Sequence, residues 1–193
     1  ASQLNGPFDG HPKLIDYSKV PSNKLQGWIP KEWWIEKEEN DALNLRNSTW
    51  LCSLSKTNDS LLMWSHYCYN HKGVCIGLDI DRVIKSVPPM FGTTYVEPLV
   101  LDVQYKDIIE RPNGYQYSKD IFSYQWRTKA KEWEYEQEVR LVIPNPSGLY
   151  ASLTPQQTNQ DKEFWDGREI RHYMPLKAEC FESIYFGVNI EQE

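Results

Sequence analysis

Little in this sequence suggests cross-linking or membrane insertion. Only four cysteines occur in 193 residues, Cys52, Cys68, Cys75 and Cys180, and none of them form a C-x-x-C pair. That argues against a disulfide scaffold and for reduced thiols. No apolar run approaches the roughly 20 residues of a membrane helix. No basic stretch precedes an apolar one, as a secretory signal would require. These absences predict a cytoplasmic protein without a membrane partner. Ala1 rather than Met stands first, which points to a chain processed or cut from something longer. Cations are also few: 21 Lys+Arg against 27 Asp+Glu leave a net charge of −6. So acidic a chain is not expected to bind nucleic acid non-specifically, because such binding needs many cations on phosphates. Repeats and low-complexity segments are lacking too.

Aromatic residues are plentiful, with 8 Trp, 12 Tyr and 6 Phe. They fill cores, and Trp and Tyr also line pockets that stack flat ligands. The balance of 40% hydrophobic to 25% charged residues is that of an ordinary globular protein. The length suits a single domain spanning 1–193, with flanking parts of a larger module missing.

Residues 1–10, ASQLNGPFDG, read as a turn-rich entry. A helix over 28–45 opens after Pro30, and a strand over 48–55 alternates Trp50, Cys52 and Leu54 with Thr49, Leu51 and Ser53. Asn58 or Asp59 caps a helix over 60–72 that Gly73 stops. Short strands follow at 73–81 and 99–105, then a helix over 118–133. The segment 134–143, EYEQEVRLVI, alternates strictly and reads as a strand, ended by Pro144 and Pro146. Residues 145–167 read as a surface loop, and strands are expected near 168–176 and 181–187. Together these elements predict an α+β fold, a β core decorated by about three helices.

Four constellations could carry chemistry. If 134–143 is a strand, Glu134, Glu136, Glu138 and Arg140 share one face, about 6.5–7 Å apart. A charged, solvated edge is the plain explanation. Two features weigh against it: like charges in a row repel, and Trp133 and Tyr135 flank them. Second, Met63, Trp64, Tyr67, Cys68 and His71 form a stripe of the 60–72 helix, the usual mark of a core face. His66 and His71 are five apart and share no face, so no zinc site is expected. His66 reads equally as an acid/base or donor and as a structural histidine. Third, Ser53 and Ser55 face one side of their strand, either orienting a ligand or capping backbone groups. Fourth, Lys129, with Arg127 and Lys131 beside it, holds either a carboxylate of the 134–138 row or a substrate anion; the salt bridge is the plainer role.

Several segments occur in a familiar order: NGPFDG (5–10), CSLSKTNDSLLMWSHYCYNHKGVCIGLD (52–79), KAKEWEYEQEVRLV (129–142) and ESIYFG (182–187). Together they resemble the bacterial family catalogued as domain of unknown function 2971. Gly6 stands where that family usually has Asp, and the family's opening Tyr-Lys-Tyr-like strand is not visible. At the level of pattern the chain is also similar to ADP-ribosyltransferases. There a serine-bearing strand runs into a helix, and a Glu/Gln-x-Glu pair opens a later strand. Ser53-Leu54-Ser55 and Glu136-Gln137-Glu138 fit that order, whereas the Arg or His of a first strand has no counterpart. The resemblance implies a split or two-sheet β core and NAD as the nucleotide; no metal is expected, because no ligand cluster has convincing spacing. The resemblance also implies Glu138 as the carboxylate that stabilises positive charge on the ribose, Glu136 orienting the acceptor, and Trp64 or Tyr67 stacking nicotinamide. His66 joins the catalytic candidates, and Ser53, Ser55, Lys129 and Arg140 the nucleotide-binding ones.

Three functions compete. The first is an NAD-dependent ADP-ribosyltransferase or NAD glycohydrolase, a bacterial effector or toxin with a protein or nucleic-acid acceptor. The second is a non-catalytic module that binds a nucleotide or peptide and acts through a partner protein. The third, hydrolysis by paired carboxylates, ranks last, because neighbours on one strand face cannot straddle a glycosidic bond.

Overall fold

The computed structural model describes residues 11–86, 98–116, 120–143 and 176–190. The expected turn-rich entry over 1–10 and loop over 145–167 lie outside them, as does nearly all of the strand expected near 168–176. The fold is α+β. Its described residues fall into two compact units, one from Ala1–Thr57 and Leu99–Pro146, the other from Asn58–Pro98 and Ser147–Glu193. No helix among the described residues is long and apolar enough to cross a membrane.

In the first unit, helix α1 (Lys31–Ser48) starts after Pro30, whose fixed φ of −65° leads into the first turn. It ends where the buried Thr49 turns its hydroxyl back onto the Leu45 carbonyl at 2.6 Å. Strand β1 (Trp50–Ser55) follows. A three-stranded antiparallel sheet then forms in the order β1–β6–β3, with β6 (Glu138–Ile143) central and β3 (Leu99–Asp102) outside. The centre is the most buried place, so β6 carries Leu141, Val142 and Ile143 into the core beside Val103 and Trp126 of the same unit. The expected strand over 99–105 divides at buried Val103 into β3 and β4 (Gln104–Lys106). Val103 N–H donates to the Glu138 carbonyl at 3.1 Å, which re-aims the chain. β4 pairs in parallel with β5 (Thr128–Ala130).

Two expectations are corrected in this unit. The helix predicted over 118–133 is α4 (Asp120–Arg127) and gives way at once to β5. The segment predicted as a strand from residue 134 is a 3-10 helix over Lys131–Glu136, and β6 begins only at Glu138. Gln137 lies between them in the left-handed region at φ 44°, ψ 49°. Its reversal breaks the alternation that the sequence displays.

In the second unit, α2 (Leu61–Tyr67) is capped by Ser60, whose hydroxyl accepts from Met63 N–H at 3.4 Å. Asn58 and Asp59 are therefore not the cap; Asn58 instead offers its carbonyl to Trp64 Nε1 at 2.7 Å. The helix also stops well before Gly73. Tyr69, Asn70 and His71 all take positive φ, at 48°, 53° and 65°, and Asn70 and His71 donate back to the Ser65 and Trp64 carbonyls. α2 buries no residue, so its Met/Trp/Tyr stripe is not the core face the spacing predicts. Strand β2 (Val74–Leu78) pairs antiparallel with β7 (Phe181–Phe186). Between them in sequence comes α3 (Ile80–Ser86), a helix not expected from the sequence. Asp79 starts it by accepting from Arg82 N–H at 3.1 Å.

Candidate functional site

The first unit gathers four charged side chains away from solvent. Glu136 and Glu138 are 4% and 5% exposed, Lys129 7% and Arg140 0%. Each arrives from a different local device. Lys129 projects from β5, where its neighbour across the parallel pair is Tyr105. Glu136 ends the 3-10 helix, and the left-handed Gln137 swings Glu138 onto the start of β6. Two residues on, Arg140 falls on the same strand face as Glu138.

The distances close a network. Lys129 Nζ donates to Glu136 Oε2 at 2.5 Å and to Glu138 Oε2 at 2.9 Å. Arg140 grips Glu138 with both prongs, Nε to Oε1 at 2.7 Å and Nη2 to Oε2 at 3.1 Å. Its remaining nitrogen, Nη1, donates to the Trp126 carbonyl at 3.0 Å. Lys129 also lies 5.0 Å from the centre of the Trp133 ring, a cation–π contact. The Tyr105 hydroxyl accepts from Glu138 N–H at 2.7 Å. Two anions and two cations cancel, which is what makes their burial tolerable.

The serines stand on the neighbouring strand. In the β1–β6 register Ser53 pairs with Arg140 and Ser55 with Glu138. Ser53 is exposed and is among the groups that lower the Glu138 pKa. Ser55 works on backbone, with its hydroxyl 2.8 Å from the Glu136 carbonyl and 2.9 Å from that of Thr57. Burial pushes the Glu138 carboxyl up, but the hydrogen bonds and charge of Arg140, with Ser53 and Lys129, outweigh it and hold the group below its ordinary range. Glu138 is a carboxylate at neutral pH.

Six candidates from the sequence thus meet in this unit: Glu136, Glu138, Lys129, Arg140, Ser53 and Ser55. The expected row of three carboxylates is corrected. Glu134 lies on the 3-10 helix, exposed and paired with Lys131 at 2.9 Å. The other three candidates, His66, Trp64 and Tyr67, belong to α2 in the second unit. His66 is exposed, with its ring edge toward Tyr67 at 6.5 Å between centroids. Tyr105 and Gln137 were missed. Tyr105 carries no motif, and Gln137 looked like one more residue of an alternating strand. Among the described residues no three His, Cys, Asp or Glu side chains gather as a metal site would need.

One family model, described as Protein of unknown function (DUF2971), matches residues 63–141. Over this stretch the chain is similar to that family. The matched segment includes Lys129, Glu136, Glu138 and Arg140, and stops short of Ser53 and Ser55. The description assigns no chemistry. No curated protein and no solved structure matches the chain.

Proposed function

We propose that the protein is a nucleotide-using enzyme that cleaves the nicotinamide–ribose bond of NAD. It acts as an ADP-ribosyltransferase-like transferase or an NAD glycohydrolase of the bacterial effector or toxin kind. The observation that carries this reading is the β1–β6 register, in which Ser53 stands opposite Arg140 and Ser55 opposite Glu138 at the head of β6. It joins the serine strand to the Glu-x-Glu strand, the two features from which the resemblance arose.

In the reaction, the bond between ribose C1′ and the nicotinamide ring nitrogen breaks, and its electron pair leaves with neutral nicotinamide. The sugar becomes oxocarbenium-like, and an ionised carboxylate beside it lowers the energy of that state. Glu138 supplies the carboxylate. The acceptor's oxygen or nitrogen then bonds to C1′ and passes its proton toward Glu136. Water as acceptor yields ADP-ribose; a protein or nucleic-acid nucleophile yields a modified acceptor. Ser53, Glu136 and Glu138 suit the ribose end of NAD. Lys129 and Arg140 are engaged with the carboxylates and serve to position them, in place of the nucleotide-binding role expected of them. Trp64 and Tyr67 belong to the second unit and are given no role in this step.

Incubation with NAD, alone and with cell extract, tests it. Nicotinamide release should fall by about a hundredfold or more in Glu138→Gln. Release by the two proteins at equal rates, or none from folded wild type under either condition, overturns the reading. A second reading, a non-catalytic nucleotide- or peptide-binding module acting through a partner protein, is favoured by one observation. Arg140 and Lys129 together already occupy both oxygens of Glu138. It predicts no product, and a nucleotide that raises the melting temperature of wild type and Glu138→Gln alike.

A further inference from the structure

The ammonium of Lys24 sits in an aromatic corner of the first unit, apart from the residues invoked above. Its Nζ lies 4.9 Å from the centre of the Trp34 ring and 5.0 Å from that of Tyr115. Glu38 Oε1 accepts from it at 2.9 Å. Trp34 and Glu38 are four apart on α1 and so share a face. Tyr115 is propped edge-on against the buried Tyr17, with ring centres 6.2 Å apart. Two ring faces and a carboxylate around one cation are what recognition of an ammonium group requires.

Lys24 meets the charge requirement of this corner and leaves another requirement unmet. Trp34 Nε1 and Tyr115 Oη are both buried with no hydrogen-bond partner among the described residues. Such atoms normally find one, and a lysine ammonium cannot accept from the indole N–H. A peptide carrying both an ammonium and a backbone carbonyl can. The rim fits a peptide as well. Trp33 and Leu25 are 45% and 40% exposed, and Trp28, on the stretch joining Lys24 to α1, is 91% exposed. α1 itself carries five acidic residues against three basic ones, a surface that favours a cationic partner. We propose that Trp34, Tyr115 and Glu38 form a recognition site for a lysine side chain, methylated or not, of a partner peptide. Lys24 fills this site in the free protein.

Lys24→Met in the full chain tests this, since Met keeps an apolar stem and removes the charge. Calorimetric titrations would use three short capped peptides that differ only at the central residue: lysine, trimethyllysine or uncharged norleucine. Lys24→Met should bind the lysine or the trimethyllysine peptide about tenfold or more tighter than wild type does. The norleucine peptide should show no gain, and adding Tyr115→Ala should remove the gain. Comparing the two ammonium peptides tells which form the corner prefers. The proposal is overturned if folded Lys24→Met binds neither ammonium peptide better than wild type. A gain shared by norleucine or surviving Tyr115→Ala overturns it equally. Should Lys24→Met fail to fold, Lys24→Gln takes its place. If neither folds, Lys24 is a structural pin and the proposal fails.

Discussion

Ser55 faces Glu138 across the β1–β6 ladder, yet its hydroxyl bonds the backbone carbonyl of Glu136 at 2.8 Å. The Glu138 carboxylate is taken instead by Arg140, which folds back on it with two nitrogens, and by Lys129. One strand face thus holds a positive group and a negative group in direct contact. The buried charges beside them belong to the same network. Altering any member leaves the others miscounted.

Arg140 is the member whose loss should be felt most. Arg140→Met keeps much of the volume but leaves Glu136 and Glu138 to share Lys129 alone, burying an uncompensated negative charge. Breaking a buried pair in this way costs about 3–5 kcal/mol. Urea unfolding should register a loss of that order. The double variant Arg140→Met/Glu138→Gln should lose less than Arg140→Met alone, because it restores neutrality. A double variant that loses the sum of the two single effects would show that the side chains are not coupled.

The depressed pKa of Glu138 sets a direction for pH. Its native value lies below the ordinary value of 4.5, so the unfolded chain binds this proton more readily than the native one. The stabilisation from ionised Glu138 is therefore fully present above about pH 4.5 and is lost as pH falls through the native value. Wild type should weaken more steeply than Glu138→Gln on acidification below that point. Urea midpoints measured in steps from pH 6 downward check this. Parallel slopes would mean that the carboxylate gains nothing from its partners.

The reversal at Gln137 predicts opposite outcomes at one position. A left-handed conformation is easy for glycine and strained for a β-branched residue. Gln137→Gly should be neutral or stabilising by up to about 1 kcal/mol. Gln137→Val should be destabilising by about 1–2 kcal/mol. Thermal melts of the two variants decide it. If Val is tolerated as well as Gly, the 3-10 helix does not depend on the reversal to deliver Glu136 and Glu138 to one place.

That reversal also explains how much of the site was legible. The residue types were readable: carboxylates next to a lysine, serines at a strand end, an arginine two places after a glutamate. The strand β1, the start of α1 and the strand β7 followed from alternation, proline and apolar runs. The 3-10 helix did not. Lys131–Glu136 alternates charged and aromatic residues as a half-buried strand would, and nothing local to Gln137 announces a left-handed turn. Burial of the ion pairs was hidden for a related reason. Whether a carboxylate faces water depends on Lys129 and Tyr105, brought by a parallel strand pair that sequence spacing does not reveal. The end of α2 was misread at Gly73 because three non-glycine residues in succession take the left-handed conformation.

Two glycines of the second unit should respond differently to the same substitution. A Cβ on Gly187 would stand 2.0 Å from the His71 carbonyl oxygen and 2.5 Å from its carbon, both backbone atoms. That carbonyl already accepts from Asn189 N–H at 3.0 Å, while Gly187 N–H donates to the Gly73 carbonyl at the same distance. The left-handed turn therefore cannot withdraw without breaking hydrogen bonds, and Gly187→Ala should cost about 3 kcal/mol. A Cβ on Gly77 would stand 2.2 Å from Ser183 Oγ, a side-chain atom that can rotate aside. Gly77→Ala should accordingly cost about 1 kcal/mol or less, and Ser183→Ala should recover most of it. Unfolding midpoints of the three variants test the ordering. If Gly187→Ala melts with wild type, the turn at Tyr69–His71 is not clamped by the chain after β7, and its left-handed residues must be held by α2 alone.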